Sequence, residues 1–398
     1  LGNQIPTFGV NSSYFAELFK ENSSFGFLNA LTGNSLSQLS VLALSITPYI
    51  TASIIVQLLT IAIPRLEEIA KGMDGHEKIE KMTYIVAGIL GYLEAGAMAV
   101  GFGKQGLLTS YTWYNCLLVT IIWGTGALVT VLFGKIIDKK GIGNGISLIL
   151  LMNILSSIPA DIITLYERFC SGKPIMLAIL CACVIIFIAL VVFVFALILN
   201  KGEKRISIQY SGKIMGNRRT VGQSSFIPVK VCIAGVMPVI FASSFLSFPI
   251  IICRLLGKNP KIINYLNSGN WFVLSRPVYT AGYLFYVLLV IFFGYFYTSI
   301  SFNSYEVAEN LKKNGGTICG IRPGKPTVEY LDRQMKYLIF IGTTGILILA
   351  TIPMLISGIF GIGSLSFGGT SIMIIASVIL EMKKTLETEC MYKSFHLF

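Results

Sequence analysis

Ile46-Thr47-Pro48-Tyr49-Ile50-Thr51-Ala52-Ser53-Ile54 sits in an apolar run of helix length that carries no charge. Isoleucines at 46, 50 and 54 are four apart, which places them on one face of a helix. The stretch has a twin. Residues 48–53 read Pro-Tyr-Ile-Thr-Ala-Ser and residues 238–243 read Pro-Val-Ile-Phe-Ala-Ser, so the pattern P-x-I-x-A-S occurs twice, 190 residues apart. Proline inside each helix removes a backbone hydrogen bond and permits a kink, which suits a helix that moves. Two such helices facing each other would form a closable path.

The surrounding chain says what that path crosses. Hydrophobic residues make up 54% and charged residues 13%, against about 25% charged in a soluble domain. Residues 175–200, 231–253, 277–305 and 337–380 contain no Asp, Glu, Lys or Arg. About 20 apolar residues cross a bilayer as a helix, and a spanning backbone must satisfy its own hydrogen bonds. The expectation is an all-α polytopic membrane protein with nine spans, at 39–62, 82–101, 113–134, 145–162, 175–199, 230–252, 277–300, 336–356 and 369–386. Of the 31 Lys and Arg, 23 fall in one alternating set of connections and 8 in the other. The richer set belongs in the cytoplasm by the positive-inside rule, which puts the start of the chain outside and its end inside.

Under that topology the twin helices run in opposite directions. This is the mark of an inverted repeat that opens a path near the membrane midplane. The second copy lies in the second span of a five-span half, 171–398, and the first copy lies in the first span of a four-span half, 1–170. A complete repeat then needs one more span before residue 1, so the first helix is expected to be missing from this chain.

Several chemistries are excluded. The two histidines, His76 and His396, lie outside the spans, so no His-based site is expected within the membrane. The eight cysteines have no zinc or redox spacing. Residues 141–147, Gly-Ile-Gly-Asn-Gly-Ile-Ser, are not a phosphate loop: no strand precedes them and no Gly-Lys-Ser/Thr follows. No HExxH is present, so an enzyme is not expected, nor is any cofactor or metal. A path lined by aliphatic side chains is no ion filter, and spans nearly free of charge do not suit a proton- or sodium-coupled carrier. Glu94 is the acidic residue clearly inside a run and reads as a carboxylate reaching toward the outer face. The run 175–199 has almost no polar content and reads as lipid-facing.

Three segments between spans stand out. Residues 25–31, Phe-Gly-Phe-Leu-Asn-Ala-Leu, are too short to span and read equally as an interfacial helix or as a re-entrant one. The loop 201–230 has seven bases against one acid, and its 205–210 stretch alternates like a hairpin strand. It reads as a finger for an anionic partner. In the loop 301–335, Gly320-Ile-Arg-Pro-Gly324 is a tight turn projecting Arg322, whose planar fork pairs with carboxylate or phosphate.

The chain resembles the SecY/Sec61-alpha family over nearly its whole length. The telling pieces are 46–59 (ITPYITASIIVQLL), 141–147 (GIGNGIS), 234–244 (AGVMPVIFASS), 310–324 (NLKKNGGTICGIRPG) and 367–371 (FGGTS). The resemblance implies a ten-helix bundle in two inverted five-helix halves. It implies the partner subunits SecE and SecG, the ATPase SecA, a docked translating ribosome, signal peptides with their secretory or membrane proteins, and the phospholipid bilayer. The implied place is the bacterial cytoplasmic membrane.

The same resemblance assigns roles to residues. A pore ring would comprise Ile46, Ile50, Ile146, Leu150, Ile240 and Ile374. A plug would lie at 25–36, with Phe25, Phe27, Leu28, Asn29, Leu31 and Gly33. A lateral gate would open between helix 39–62 and helices 230–252 and 277–300, near Gln57, Cys232, Ser243 and Ser244. Arg205, Lys213, Arg218, Arg219 and Arg322 would meet the cytoplasmic partners. The chain departs from the family pattern at Phe8, where a proline is usual, and at Cys232, where an asparagine is common. The expected function is a protein-conducting channel, with an inverted-repeat transporter for a small solute as the alternative. Two large partner-type loops suit the channel and are unneeded by a small-solute carrier.

Overall fold

The computed structural model describes residues 2–11, 29, 31–72, 75–103, 108, 110–169, 174–210, 214–215, 218–219, 224–255, 262–267, 270–272, 277–360 and 369–395. Twelve helices lie among them: α1 (Thr47–Ala62), α2 (Pro64–Lys71), α3 (Gly75–Phe102), α4 (Trp113–Lys140), α5 (Gly145–Phe169), α6 (Ile175–Lys201), α7 (Met237–Leu255), α8 (Ile262–Leu266), α9 (Ala281–Ser301), α10 (Ser304–Lys313), α11 (Lys325–Phe360) and α12 (Gly369–Phe395). Each of the nine expected spans corresponds to one helix: α1, α3 to α7, α9, α11 or α12.

Their lengths differ from expectation. Among the described residues six helices are long and apolar enough to cross a membrane, or seven if α1 and the start of α2, bent by 107° at Ile63, count as one span. Two helices start late. Residues 39–46 form turns, with Leu39 and Ser45 at positive φ, and α1 begins only at Thr47. The connection before α7 bends at Gly235, also at positive φ, so α7 begins at Met237 and not near 230. The last helix carries Glu381, Lys383 and Lys384 about its middle.

These late starts correct the role expected of the twin prolines. Pro48 and Pro238 stand in the first turn of α1 and α7. There the missing N–H removes no helical bond and the fixed φ suits the helix start. The prolines inside helices are Pro159, Pro249 and Pro353. The twin motif therefore starts each helix and does not kink it.

The helices pack in sequence. α3 lies against both α1 and α4, and α4 against α5; farther along the chain α7 packs on α9, α9 on α11, α11 on α12 and α12 on α6. The two series touch where α3 meets α7 and where α5 meets α12 and α6. α6 is largely exposed, as a lipid-facing helix would be, with buried Val192, Ala196 and Leu199 turned inward along one stripe.

The N-terminal segment is clipped to this bundle. Backbone Thr7 N and its Oγ1 both donate to Leu39 O, at 3.1 and 2.8 Å, and Trp123 Nε1 of α4 donates to Thr7 Oγ1 at 2.9 Å. A Cβ at Gly126 of α4 would lie 2.1 Å from Val41 O, so only glycine permits this approach.

The two large loops form one body. Strands β1 (Glu203–Tyr210), β2 (Ile214–Met215), β3 (Arg218–Arg219), β4 (Ser224–Lys230) and β5 (Gly316–Ile318) make two antiparallel sheets, one of them ordered β4-β1-β5. The hairpin expected at 205–210 is β1 with β4. β1 also pairs with β5 of the other loop, Ile208 opposite Ile318, a contact that alternation alone does not predict. Alternation sends Ile206 and Ile208 inward onto Leu311 of α10 and Leu331 and Met335 of α11. Truncating a buried Ile to Ala costs about 2–5 kcal/mol. Ile208→Ala should therefore speed hydrogen exchange in β1, β4 and β5 while α3 and α4 stay protected, as read by mass spectrometry.

Candidate functional site

The six residues expected to form a ring come from four helices. α1 is preceded by Ile46 and carries Ile50; α5 carries Ile146 and Leu150; α7 carries Ile240; α12 carries Ile374. Ile46, Ile50, Leu150, Ile240 and Ile374 belong to one buried cluster, and the partly buried Ile146 packs against it. The twin motifs occupy the same register in their helices. Ile50 and Ile240 are the fourth residues of α1 and α7, and Ala52 and Ala242 behind them are fully buried.

Local chemistry sets the start of α5. Asn144 Oδ1 accepts from the backbone N–H groups of Ile146 and Ser147, each at 3.1 Å, and Asp138 Oδ1 accepts from Gly145 N at 2.6 Å. These side chains satisfy N–H groups that a helix start leaves without partners. The turn Gly-Ile-Gly-Asn-Gly is thus a capping device, with Gly143 at φ 78°. It fixes the first turn of α5 and so aims Ile146 and Leu150, four residues apart, along one face.

Of the plug residues, Phe25, Phe27 and Leu28 lie outside the described residues. Leu31 is buried within the same cluster as Ile46 and Ile240. Asn29 folds the chain on itself: its Nδ2 donates to Asn34 Oδ1 at 2.8 Å and its Oδ1 accepts from Ser37 N at 3.0 Å. Gly33, at φ 66°, lies against α5.

The gate residues are scattered more than expected. Gln57 Nε2 donates to Ser53 Oγ, 3.1 Å away within α1. Cys232 is buried, but it precedes α7 and is not on the helix; its Sγ donates to Gly235 O at 3.5 Å. The segment passes Gly342 of α11, where a Cβ would meet Val231 O at 2.6 Å. Ser243 and Ser244 are partly buried on α7. α7 packs more extensively on α3 than on α1. α7 and α9 are joined by edge-on rings, with Phe241 5.8 Å from Phe293 and 6.2 Å from Tyr297. Tyr283 and Thr351 hydroxyls, 2.6 Å apart, tie α9 to α11. Glu94 Oε1 accepts from Thr51 Oγ1 at 3.2 Å, so this carboxylate joins α3 to α1.

At the loop platform Arg205 points outward on β1 and its guanidinium stands 4.9 Å over the Phe226 ring. Arg322 is exposed on a turn held between Gly320 and Gly324, both at positive φ, with Thr327 Oγ1 donating to Arg322 O at 2.9 Å. Arg218 and Arg219 form β3, paired with Met215 and Ile214. Lys213 lies outside the described residues.

Residues 40–383 match the SecY family model. The chain belongs to the SecY family. A protein translocase subunit SecY from Corynebacterium glutamicum is 35% identical, with 99% of this chain and 92% of that protein covered. The fold is similar to a solved protein-conducting channel, at TM-score 0.62 and 19% identity over 97% of this chain and 95% of that one. It is also similar to a SecY structure whose plug domain stabilises the closed state of the translocation channel and maintains a membrane seal, at TM-score 0.60 and 18% identity over the same shares. Membership in this family makes the chain a multi-pass membrane protein.

Reasoning from sequence passed over Asn153 of α5. It is the lone polar residue in the run 148–155, and a polar side chain in such a run is itself a functional signal.

A close-fitting aliphatic constriction seals by shape and dewetting. Replacing Ile50 and Ile240 together by glycine should raise resting ion conductance severalfold in planar bilayers. Unchanged conductance would remove these side chains from the seal.

Proposed function

We propose that this chain is the pore-forming subunit of a bacterial translocase. It conducts unfolded secretory polypeptides across the cytoplasmic membrane and releases apolar segments into lipid through a lateral gate. The observation that carries this reading is one buried cluster, in a member of the SecY family, that gathers Ile46, Ile50, Leu150, Ile240 and Ile374 from well-separated parts of the chain. Branched aliphatic side chains fit closely around a passing chain of any composition and make no specific demand on its sequence. A small-solute carrier needs placed polar groups at its site, whereas the side chains at these five positions are all aliphatic.

In this reading 1–170 and 171–398 are two halves that part at the front, where α3 meets α7. The contacts of α5 with α6 and α12 keep the back closed. The extended aromatic contact between α7 and α9 makes these two helices move as one wall of the gate. Residues 25–36 are the plug.

The chain has no nucleotide motif and is not itself an enzyme, so energy comes from partners. SecE and SecG would complete the channel. SecA or a translating ribosome would dock on the platform of β1, β4, β5 and the Arg322 turn. An outward Arg205 and a rigidly presented Arg322 on one packed body give a planar, bidentate recognition surface for carboxylate or phosphate.

Arg322→Glu reverses one such contact. SecA-driven transport into inverted vesicles should fall by an order of magnitude, about 1.4 kcal/mol, while the amount of channel inserted in the membrane stays the same. Equal losses of both would mean misfolding and would remove Arg322 from the docking surface.

A further inference from the structure

The Asn153 side chain reaches out of α5 and holds two points of the segment whose Leu31 packs in the same cluster as Ile46 and Ile240. Its amide Nδ2 donates to Leu31 O at 2.8 Å and to Ser45 Oγ at 3.0 Å. A side-chain amide has two N–H donors, and both are used here. Asn153, Leu31 and Ser45 are all buried. Leu31 stands just before the turn-rich stretch and Ser45 lies near its end, two residues before α1, so one side chain clasps both ends of the loop.

Contacts beside it confirm how closely the loop is drawn in. At Gly33 a Cβ would stand 2.9 Å from Ser156 Oγ and 3.0 Å from Asn153 Oδ1. The Gly33 carbonyl accepts from Asn3 Nδ2 at 3.2 Å and from Ser156 Oγ at 3.4 Å. Ile146, Leu150 and Asn153 succeed one another at helical spacings of four and three, so they share a face of α5.

We propose that Asn153 is a positioning residue: it latches residues 31–45 to the ring helix in the resting channel and ties their release to movement of α5. The inference rests on reading this segment as the plug. Aliphatic packing tolerates sliding, whereas a hydrogen bond is directional and weakens steeply off its axis. The pair of bonds therefore defines one seated position, and displacement of α5 when the ring widens breaks both together. Once they break, the Leu31 carbonyl loses a buried partner, and that loss favours withdrawal of the segment from the site over a half-seated state.

The test uses the complete channel complex in proteoliposomes. Asn153→Leu keeps the bulk and removes both donors; Ser45→Ala removes one acceptor. Hydrogen exchange of amides 31–46 should quicken roughly thirtyfold in the first and roughly fivefold in the second, with α3 and α4 unchanged. Resting ion conductance should rise in the same order. Unchanged exchange at 31–46 in both variants overturns the latch. Faster exchange spread over α3, α4 and α5 also overturns it, because Asn153 would then hold the bundle and not the segment. Faster exchange confined to 31–46 with unchanged conductance leaves the latch standing and sinks the reading of this segment as the seal.

Discussion

A peptide group without a partner costs several kcal/mol in hydrocarbon, and residues 32–46 meet that cost without a helix. The segment intersperses Asn, Ser and Thr among its apolar residues, and their short side chains bond its own backbone. Ser35 Oγ donates to Thr32 O and Leu42 O, Ser37 Oγ to Asn34 O, and Thr32 Oγ1 to Asn29 O. Donors from outside, Asn3 and Asn153, take carbonyls that remain. A non-helical stretch can therefore lie in the protein interior beside an aliphatic cluster.

The same constraint shapes the buried aliphatic cluster. Wherever a helix begins, its first N–H groups need partners. α5 begins where Asp138 and Asn144 supply them, and α1 and α7 begin where a proline removes one of the needs. Each device places an aliphatic residue in or just after the first turn. Ile146 and Leu150 follow the Asn144 cap, while Ile50 and Ile240 follow Pro48 and Pro238. The buried aliphatic cluster draws on helix starts whose positions are set by local chemistry.

Much of this was legible in the chain. Apolar runs located the long helices because only a helix satisfies a spanning backbone. The P-x-I-x-A-S twins marked the two helices whose fourth residues belong to one buried cluster. Alternation in 205–210 marked a strand because side chains on a strand alternate faces. Other features were not legible. Residues 39–46 are as apolar as α1 itself, and hydropathy carries no sign of the positive φ at Leu39 and Ser45. Cys232 sits within an uncharged run, so composition assigned it to a helix that in fact begins five residues later. Pro48 reads as a kink in an apolar run and as a start signal once the helix boundary is known.

Membrane residence, helix number to within the late starts, the aliphatic character of the path and the family itself follow from the sequence alone. Each depends on residue type and near-neighbour spacing, and these are properties of the chain taken locally. Tertiary structure alone decided that β5 joins β1 across a hundred residues, that α3 faces α7, and that Asn153 reaches Leu31 and Ser45 more than a hundred positions away. Pairings of that separation depend on how whole helices pack. No local pattern encodes them, because an amide in an apolar run announces that it needs partners without naming which.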